Sequence, residues 1–336
     1  MSKPALPILD LSLLEGTAEQ RRRFLADLRV AARDVGFFYL VGHGLSLAQQ
    51  QAILKLARTF FALPEQDKLS VQMVKSPHFR GYTRFMGELT GGQPDMREQF
   101  DTMNEEPALA SEQIQFPWQR LQGPNQWPAQ LPEMKVVLLD WQNKLSNITV
   151  RLLKAFAEAL DQDKDAFSDN VDGGPYQHMK LIRYPGQPAG QSRQGVGAHK
   201  DPGYLTLVMQ DGQSGLEVEK DEGWVSAEPI EGAFVVNIGE LLELASNGYL
   251  KATNHRVKSP PAGVERLSCA FFMAARLDSR VPLLDLPEQL AAEAKGPQSD
   301  PANPLFYQVG ENVLKGRLRS HTDVAARHYP EMAQQN

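Results

Sequence analysis

The stretch AHKDPGYLTLVM, residues 198–209, sets His199 and Asp201 two positions apart and then, past Pro202 and Gly203, becomes an apolar run. Side chains alternate faces along a strand, so these two would share one face while Lys200 turns away. Alone, such a pair more often marks the polar edge of a strand than two metal ligands. Its neighbourhood decides the fold. From Tyr176 onward the chain breaks into short β-like runs, HMKLIRY, YLTLVM, GLEVE, AFVVNI, YLKATNHRV and RLSCAFFMAA, separated by Pro, Gly, Asp and Asn. Six or more short strands at that spacing predict a double-sheet sandwich or jelly roll whose edges neighbouring helices protect.

Ahead of this β-rich part the periodicity is helical. After a short strand at 7–11, Phe24, Leu28, Ala31 and Val35 recur at helical spacing with Gly36 as a stop, and an apolar strand follows at 36–41. A second helix carries Ile53, Leu56, Phe60 and Leu63 up to Pro64. A third, 133–160, has Leu138, Trp141, Leu145, Ile148, Leu152 and Phe156 as its buried stripe. Residues 75–130, rich in Gly, Pro and isolated aromatics, read as a long excursion over an active-site mouth. The tail returns to a helical pattern at 309–327. The fold class is therefore α+β, one catalytic unit in which helices bury their stripes on a jelly-roll core. It divides into a mixed N-terminal region (1–130), a long helix and connection (131–175), the core (176–280) and a C-terminal linker and helix (281–336).

Composition narrows the function classes. With 336 residues, 42% of them hydrophobic, the chain can bury a substantial core. Its 41 acidic and 35 basic residues are dispersed, leaving a net charge of −6 and no basic stripe for nucleic acid or an anionic membrane. One cysteine, Cys269, excludes an internal disulfide and thiolate metal clusters, which fits a reducing cytoplasm. No stretch reaches the ~18 uninterrupted apolar residues of a membrane span, and no export signal is visible. A small soluble substrate is the expected partner; the sequence does not set the oligomeric state, and a monomer is compatible with it.

A third ligand candidate, His255, lies 54 positions after Asp201 in another β-like run. Two imidazoles and one carboxylate make the facial triad of non-heme Fe(II) oxygenases, which leaves coordination positions open for cosubstrate and dioxygen. Arg266 and Ser268 follow 11 and 13 positions later, again sharing one strand face. They offer a guanidinium fork and a hydroxyl, the donors a buried carboxylate needs.

With these residues in place the chain resembles the isopenicillin N synthase-like family of Fe(II)/2-oxoglutarate oxygenases, as a bacterial member. The likeness extends through VNIGELLELASNGYLKATNHRV (236–257), IRYPG (182–186), LPILDL, ARDVGFFYLVGHG and GPNQWP (123–128). It implies a double-stranded β-helix core with Fe(II) held by His199, Asp201 and His255, and the far carboxylate of 2-oxoglutarate held by Arg266 and Ser268. Tyr184 matches a position that often reaches that carboxylate. Arg183 alternates to the other face and would touch the cosubstrate only if its strand were bulged. The implied chemistry consumes dioxygen and 2-oxoglutarate, releases succinate and carbon dioxide, and leads to hydroxylation, desaturation or ring closure.

The segment RGYTRFMGELTGGQPDMREQFD (80–101) is similar to its counterpart in bacterial ethylene-forming enzymes. That likeness makes Glu88 and Thr90 candidates for a substrate's cationic group. Pro202 departs from it, standing where the ethylene-forming enzyme has an aromatic. Arg80, Arg84 and Arg97 could equally receive an acidic substrate, and GELTGGQPD could act as a lid with glycine hinges. His43, His78, His178, His321 and His328 are assigned to structure or surface. Three rival classes stay open: a penicillin-synthase-type oxidase that uses no 2-oxoglutarate, a Zn or Mn jelly-roll hydrolase or isomerase, and a non-catalytic binding protein.

Overall fold

The computed structural model describes residues 5–189, 194–298 and 303–333. The N-terminal elements are β1 (Ile8–Asp10), α1 (Ala18–Asp34), β2 (Phe37–Val41) and α2 (Leu47–Phe61). Both helices start on a capping box, Thr17 with Gln20 and Ser46 with Gln49, each satisfying backbone N–H groups that the first turn leaves unpaired. Gly36 ends α1 at φ +73°, donating its N–H to the Ala31 carbonyl, a left-handed position suited to glycine.

The next strands are β3 (Gly81–Thr83), β4 (Leu89–Thr90), β5 (Gln93–Pro94) and β6 (Glu98–Met103). After α3 (Glu133–Ala159) come β7 (Gln177–Pro185), β8 (Gln194–His199), β9 (Leu205–Gln210), β10 (Leu216–Lys220), β11 (Gly223–Ser226) and β12 (Phe234–Ile238). The chain closes with α4 (Glu240–Ala245), β13 (His255–Lys258), β14 (Glu265–Met273), α5 (Val309–Ser320) and α6 (Thr322–His328).

An eight-stranded sheet runs β1-β2-β12-β9-β14-β7-β6-β3 and faces a four-stranded sheet, β11-β10-β13-β8; β4 and β5 form a separate hairpin. This is the expected jelly roll. Strand alternation sorts the large sheet's side chains. Met179, Leu181, Leu207, Phe234, Leu267 and Phe271 join the helix-side core, where the predicted α3 stripe is buried with them. Ile182, Tyr184, Val235 and Ala270 face the space between the sheets. Each fully buried Leu or Phe on the helix side contributes roughly 1.5–3 kcal/mol by leaving water.

Two expectations change. The excursion at 75–130 is not all loop, because β3 and β6 add strands to the edge of the large sheet. The polar letters of EQFDTM conceal a strand whose six residues are all buried. The helix expected at 309–327 is two helices, broken at His321 (φ −125°, ψ 73°), whose imidazole is buried 3.3 Å from Glu88 Oε1.

Candidate active site

β8 and β13 are antiparallel neighbours in the small sheet, and their register places His199 directly opposite His255. The two imidazoles lie 4.3 Å apart between ring centroids. Asp201 joins them differently from the strand-face expectation. β8 ends at His199, and Asp201 sits in the turn beyond it, secured where the Glu240 N–H donates to its backbone carbonyl at 2.8 Å. Its Oδ1 lies 3.4 Å from His199 Nε2 and 3.6 Å from His255 Nε2. One ligand atom from each residue falls within 4.8 Å of the other two, a spacing that one metal ion can span.

The hydrogen bonds around the triad leave these atoms available. His199 Nδ1 is 2.9 Å from the Gly197 carbonyl and His255 Nδ1 is 3.2 Å from that of Thr253, so each Nδ1 is the donor and each Nε2 keeps its lone pair. Asp201 Oδ2 accepts from the Thr206 hydroxyl at 2.5 Å and from Asn237 Nδ2 at 2.8 Å, freeing Oδ1. Thr206 and Asn237 are themselves cross-strand partners. Burial, together with His199 nearby, pushes His255 down to about 4, the neutral form that binds metal. Burial opposes ionisation of Asp201, but His255, His199 and Thr206 outweigh it and hold the carboxyl well below its ordinary range. Burial likewise works against His199 protonation, and the Asp201 carboxylate outweighs it, raising that imidazole. Such a donor set, two neutral-capable imidazoles and a carboxylate oriented by outer partners, suits Fe(II).

Arg266, Ser268 and Tyr184 come together on the inner face of the large sheet, where Arg266 pairs in register with Tyr184. The Arg266 guanidinium lies over the Tyr184 ring, 4.9 Å from its centroid. Its Nη2 donates to Gln210 Oε1 at 2.8 Å and its Nε to the Gln213 carbonyl at 3.3 Å, while Nη1 is buried with no acceptor among the described residues. A buried guanidinium without a carboxylate partner is costly. The carboxylate of a bound 2-oxoglutarate would supply the missing partner, so the residues fit the cosubstrate. Arg183 does not join them. The β7–β14 register runs unbroken from Gln177 to Pro185, so no bulge turns Arg183 inward. It stays on the opposite face, paired with Glu98 at 2.7 Å and Glu265 at 2.5 Å.

A cavity of about 320 Å³ opens beside His199 and Asp201. Its walls come from the β4–β5 hairpin, β7, the turn after β8 and α5. Glu88 and Thr90 both line it. Their polar atoms are already engaged, however. Glu88 takes Lys180 on both oxygens at 2.8 Å and Arg97 at 2.7 Å, and Thr90 donates to Asp95 at 2.8 Å. Pro202 is part of the wall, and Lys200 leans to Glu243 at 3.3 Å. Of the three arginines considered for an acidic substrate, Arg97 reaches this cavity, Arg84 is exposed, and Arg80 is buried against the Leu121 carbonyl beside a different cavity.

Sequence reasoning missed four residues here. His178, set aside as structural, lines the cavity, stacks on Phe272 with centroids 5.0 Å apart, and lies 2.6 Å from Asp101. Burial and the charge of Arg317 push it down to about 3, so it is neutral. Lys180 and Arg317 also line the cavity, and Asp101 lies beneath them. The alternation His178, Lys180, Ile182, Tyr184 within HMKLIRY was the available signal. It puts two polar side chains on the same strand face as the carboxylate receptor.

Residues 6–130 match the family described as non-haem dioxygenase in morphine synthesis N-terminal, and residues 175–275 match the 2OG-Fe(II) oxygenase superfamily. A 2-oxoglutarate-dependent dioxygenase of Dothideomycetidae sp. (strain 11243) is 31% identical, covering 99% of this chain and 94% of its own. A homoarginine-6-hydroxylase of Arabidopsis thaliana is 34% identical over 87% of this chain and 91% of its own. Among solved structures, a full-length Neurospora crassa protein in complex with alpha-KG and 5-formyluracil superposes with a TM-score of 0.76 at 25% identity, covering 95% of this chain and 99% of that one. A 2OG-Fe(II) oxygenase family protein from Caulobacter crescentus gives 0.76 at 29%, covering 94% and 99%. The protein is a dioxygenase that uses Fe(II) and 2-oxoglutarate on a small substrate. By sequence match, fold and ligand set alike, this chain belongs to the 2OG-Fe(II) oxygenase superfamily.

Proposed function

We propose that the chain is a hydroxylase of a small soluble metabolite, in an isopenicillin N synthase-like branch of the superfamily, with iron on His199, Asp201 and His255. Arg266, Ser268 and Tyr184 receive the far carboxylate of 2-oxoglutarate. One observation carries this reading: Arg266 is buried, its Nη1 without an acceptor among the described residues, on the same inner face as Thr206 and Asn237. Bound iron and 2-oxoglutarate supply the oxidising chemistry. In balance, substrate C–H, 2-oxoglutarate and dioxygen give substrate C–OH, succinate and carbon dioxide. The chain's residues orient the iron ligands, clamp the cosubstrate, and wall the reacting carbon off from water.

A second reading of the substrate gives it a cationic end seated at Glu88 and Thr90. Both residues line the cavity, and homoarginine-6-hydroxylases stand among the relatives, which supports it. The cations already on Glu88 weigh against it.

The test is turnover of a metabolite panel under isotopically heavy dioxygen. The expected product gains one oxygen atom from dioxygen, with one succinate released per turnover. Desaturated or cyclised product without that oxygen, or turnover without 2-oxoglutarate, overturns the proposal.

A further inference from the structure

The protein is acidic overall, yet its cavity is not. Arg97, Lys180, Lys200, Lys315, Arg317 and Arg319 line it, against Glu88, Asp201 and Glu240. Asp201 belongs to the iron, so the excess of cations is larger still once metal binds. A low-dielectric cleft lined by one sign of charge focuses its field and concentrates counter-ions of the other sign.

Three of these cations are closely paired with carboxylates within the protein. Lys180 bonds both Glu88 oxygens, Arg97 bridges Glu88 and Asp95, and Lys200 reaches Glu243. Arg317 is the exception in quality of pairing. It projects from α5, its side chain is 8% exposed, and its single carboxylate contact among the described residues is Nη1 to Asp101 at 3.5 Å. Asp101 Oδ1 is shared, lying 2.6 Å from His178 Nε2 and 3.6 Å from Lys180 Nζ, and Oδ2 accepts from Gln99 at 2.9 Å. Arg317 Nη2 is buried with no acceptor among the described residues. The pattern repeats that of Arg266, a desolvated guanidinium whose fork is only partly used, and here the guanidinium lines the cavity. A guanidinium matches a carboxylate with two parallel N–H···O bonds, and the bidentate pair is strongest where water is excluded.

We infer that Arg317 is the anchor for a carboxylate on the substrate. This rests on the hydroxylase reading and adds the substrate class, an organic acid. Asp101 joins Arg317 to His178, His178 stacks on Phe272, and Phe272 pairs in register with Thr206, which holds Asp201; Ala274 and Val313 line the same cavity. The carboxylate is thus held at one end while the body of the molecule lies along this flat, largely apolar wall, presenting a carbon to the iron side.

The experiment is anaerobic calorimetric titration of the Fe(II)-loaded, 2-oxoglutarate-loaded enzyme, in which no turnover occurs. The probes are two acids with their primary amides: phenylacetate with phenylacetamide, and L-homoarginine with L-homoargininamide. At least one acid is expected to bind about tenfold or more tighter than its amide, as loss of a charge-assisted bond implies. In Arg317→Gln that preference should collapse to about twofold or less, and Arg317→Lys should restore part of it. Equal binding of acid and amide, a preference that survives in Arg317→Gln, or no binding of either acid overturns the assignment. The preceding titration of 2-oxoglutarate into the iron-loaded enzyme separates the two readings. If 2-oxoglutarate itself does not bind, the cosubstrate reading fails; if it binds and the acids do not, only the role of Arg317 fails.

Discussion

At the scale of single residues, the iron site depends as much on what holds the ligands as on the ligands. His199→Ala and Asp201→Ala should each abolish iron-dependent turnover, since each removes one of the three donors; full activity in either variant would sink the assignment. Asn237 is subtler. Its amide holds Asp201 Oδ2 and so leaves Oδ1 facing the two imidazoles, where it would meet the metal. Asn237→Ala should leave the fold intact and weaken Fe(II) binding roughly 10- to 100-fold, as loss of outer-shell partners does elsewhere. An unchanged iron affinity in a direct titration would show that Thr206 orients the carboxylate alone. At this scale the sequence was informative where chemistry repeats at a fixed offset. His199-x-Asp201 and Arg266-x-Ser268 stood out as candidates once His255 was set beside them. Asn237, Thr206 and Arg317 could not, because an amide or a hydroxyl inside an apolar run, or one arginine within the basic stretch KGRLRS, carries no mark of what the fold sets beside it.

At the scale of elements, the turn after β8 is held by the start of α4. The Gly239, Glu240 and Leu241 N–H groups donate to the carbonyls of Tyr204, Asp201 and Gly203, in that order. Gly239 has an ordinary negative φ, so its value lies in contact rather than conformation. A Cβ there would sit 2.0 Å from the Gly203 carbonyl oxygen and 3.2 Å from that of Asp201. Gly239→Ala should therefore destabilise the protein by about 1–3 kcal/mol, as overpacking does, and weaken iron binding with it. Thermal unfolding and an iron titration check both parts, and parent-like values in the two would refute the clasp. The amphipathic helices α1, α2 and α3 were legible because their stripes bury on the sheet at the 3.6-residue period. β6 was hidden for the opposite reason. Both its faces are buried, one against the cavity's charged groups, so its polar letters imitate a loop.

At the scale of the whole molecule, the charged groups below the cavity tie stability to pH. His178, pushed down to about 3, stays neutral when folded but would protonate near 6.5 when unfolded. The unfolded state thus takes up the extra proton between those values, and stability falls as pH drops below about 6.5. Asp101 adds a second window. Burial alone would raise its carboxyl, but Lys180, His178 and Arg317 together hold it well below the ordinary value. A depressed carboxyl contributes stability that is present above its unfolded pKa of about 4 and is lost as pH falls further. The iron-free protein should therefore show a melting temperature that declines gently below about pH 6.5 and more steeply below about pH 4. A flat profile from neutrality to pH 4 would contradict neutral burial of His178.

The central claim, that this chain couples 2-oxoglutarate to dioxygen on iron through these residues, meets its most direct test in succinate release. Purified protein with Fe(II), 2-oxoglutarate and air should form succinate in an iron-dependent way, and His255→Ala should form none. Arg266→Ala should need about 30-fold or more 2-oxoglutarate for half-saturation, the consequence of removing one partner of a buried charge pair. Succinate formed equally without iron, or an Arg266→Ala variant with the parent's 2-oxoglutarate requirement, would contradict the account.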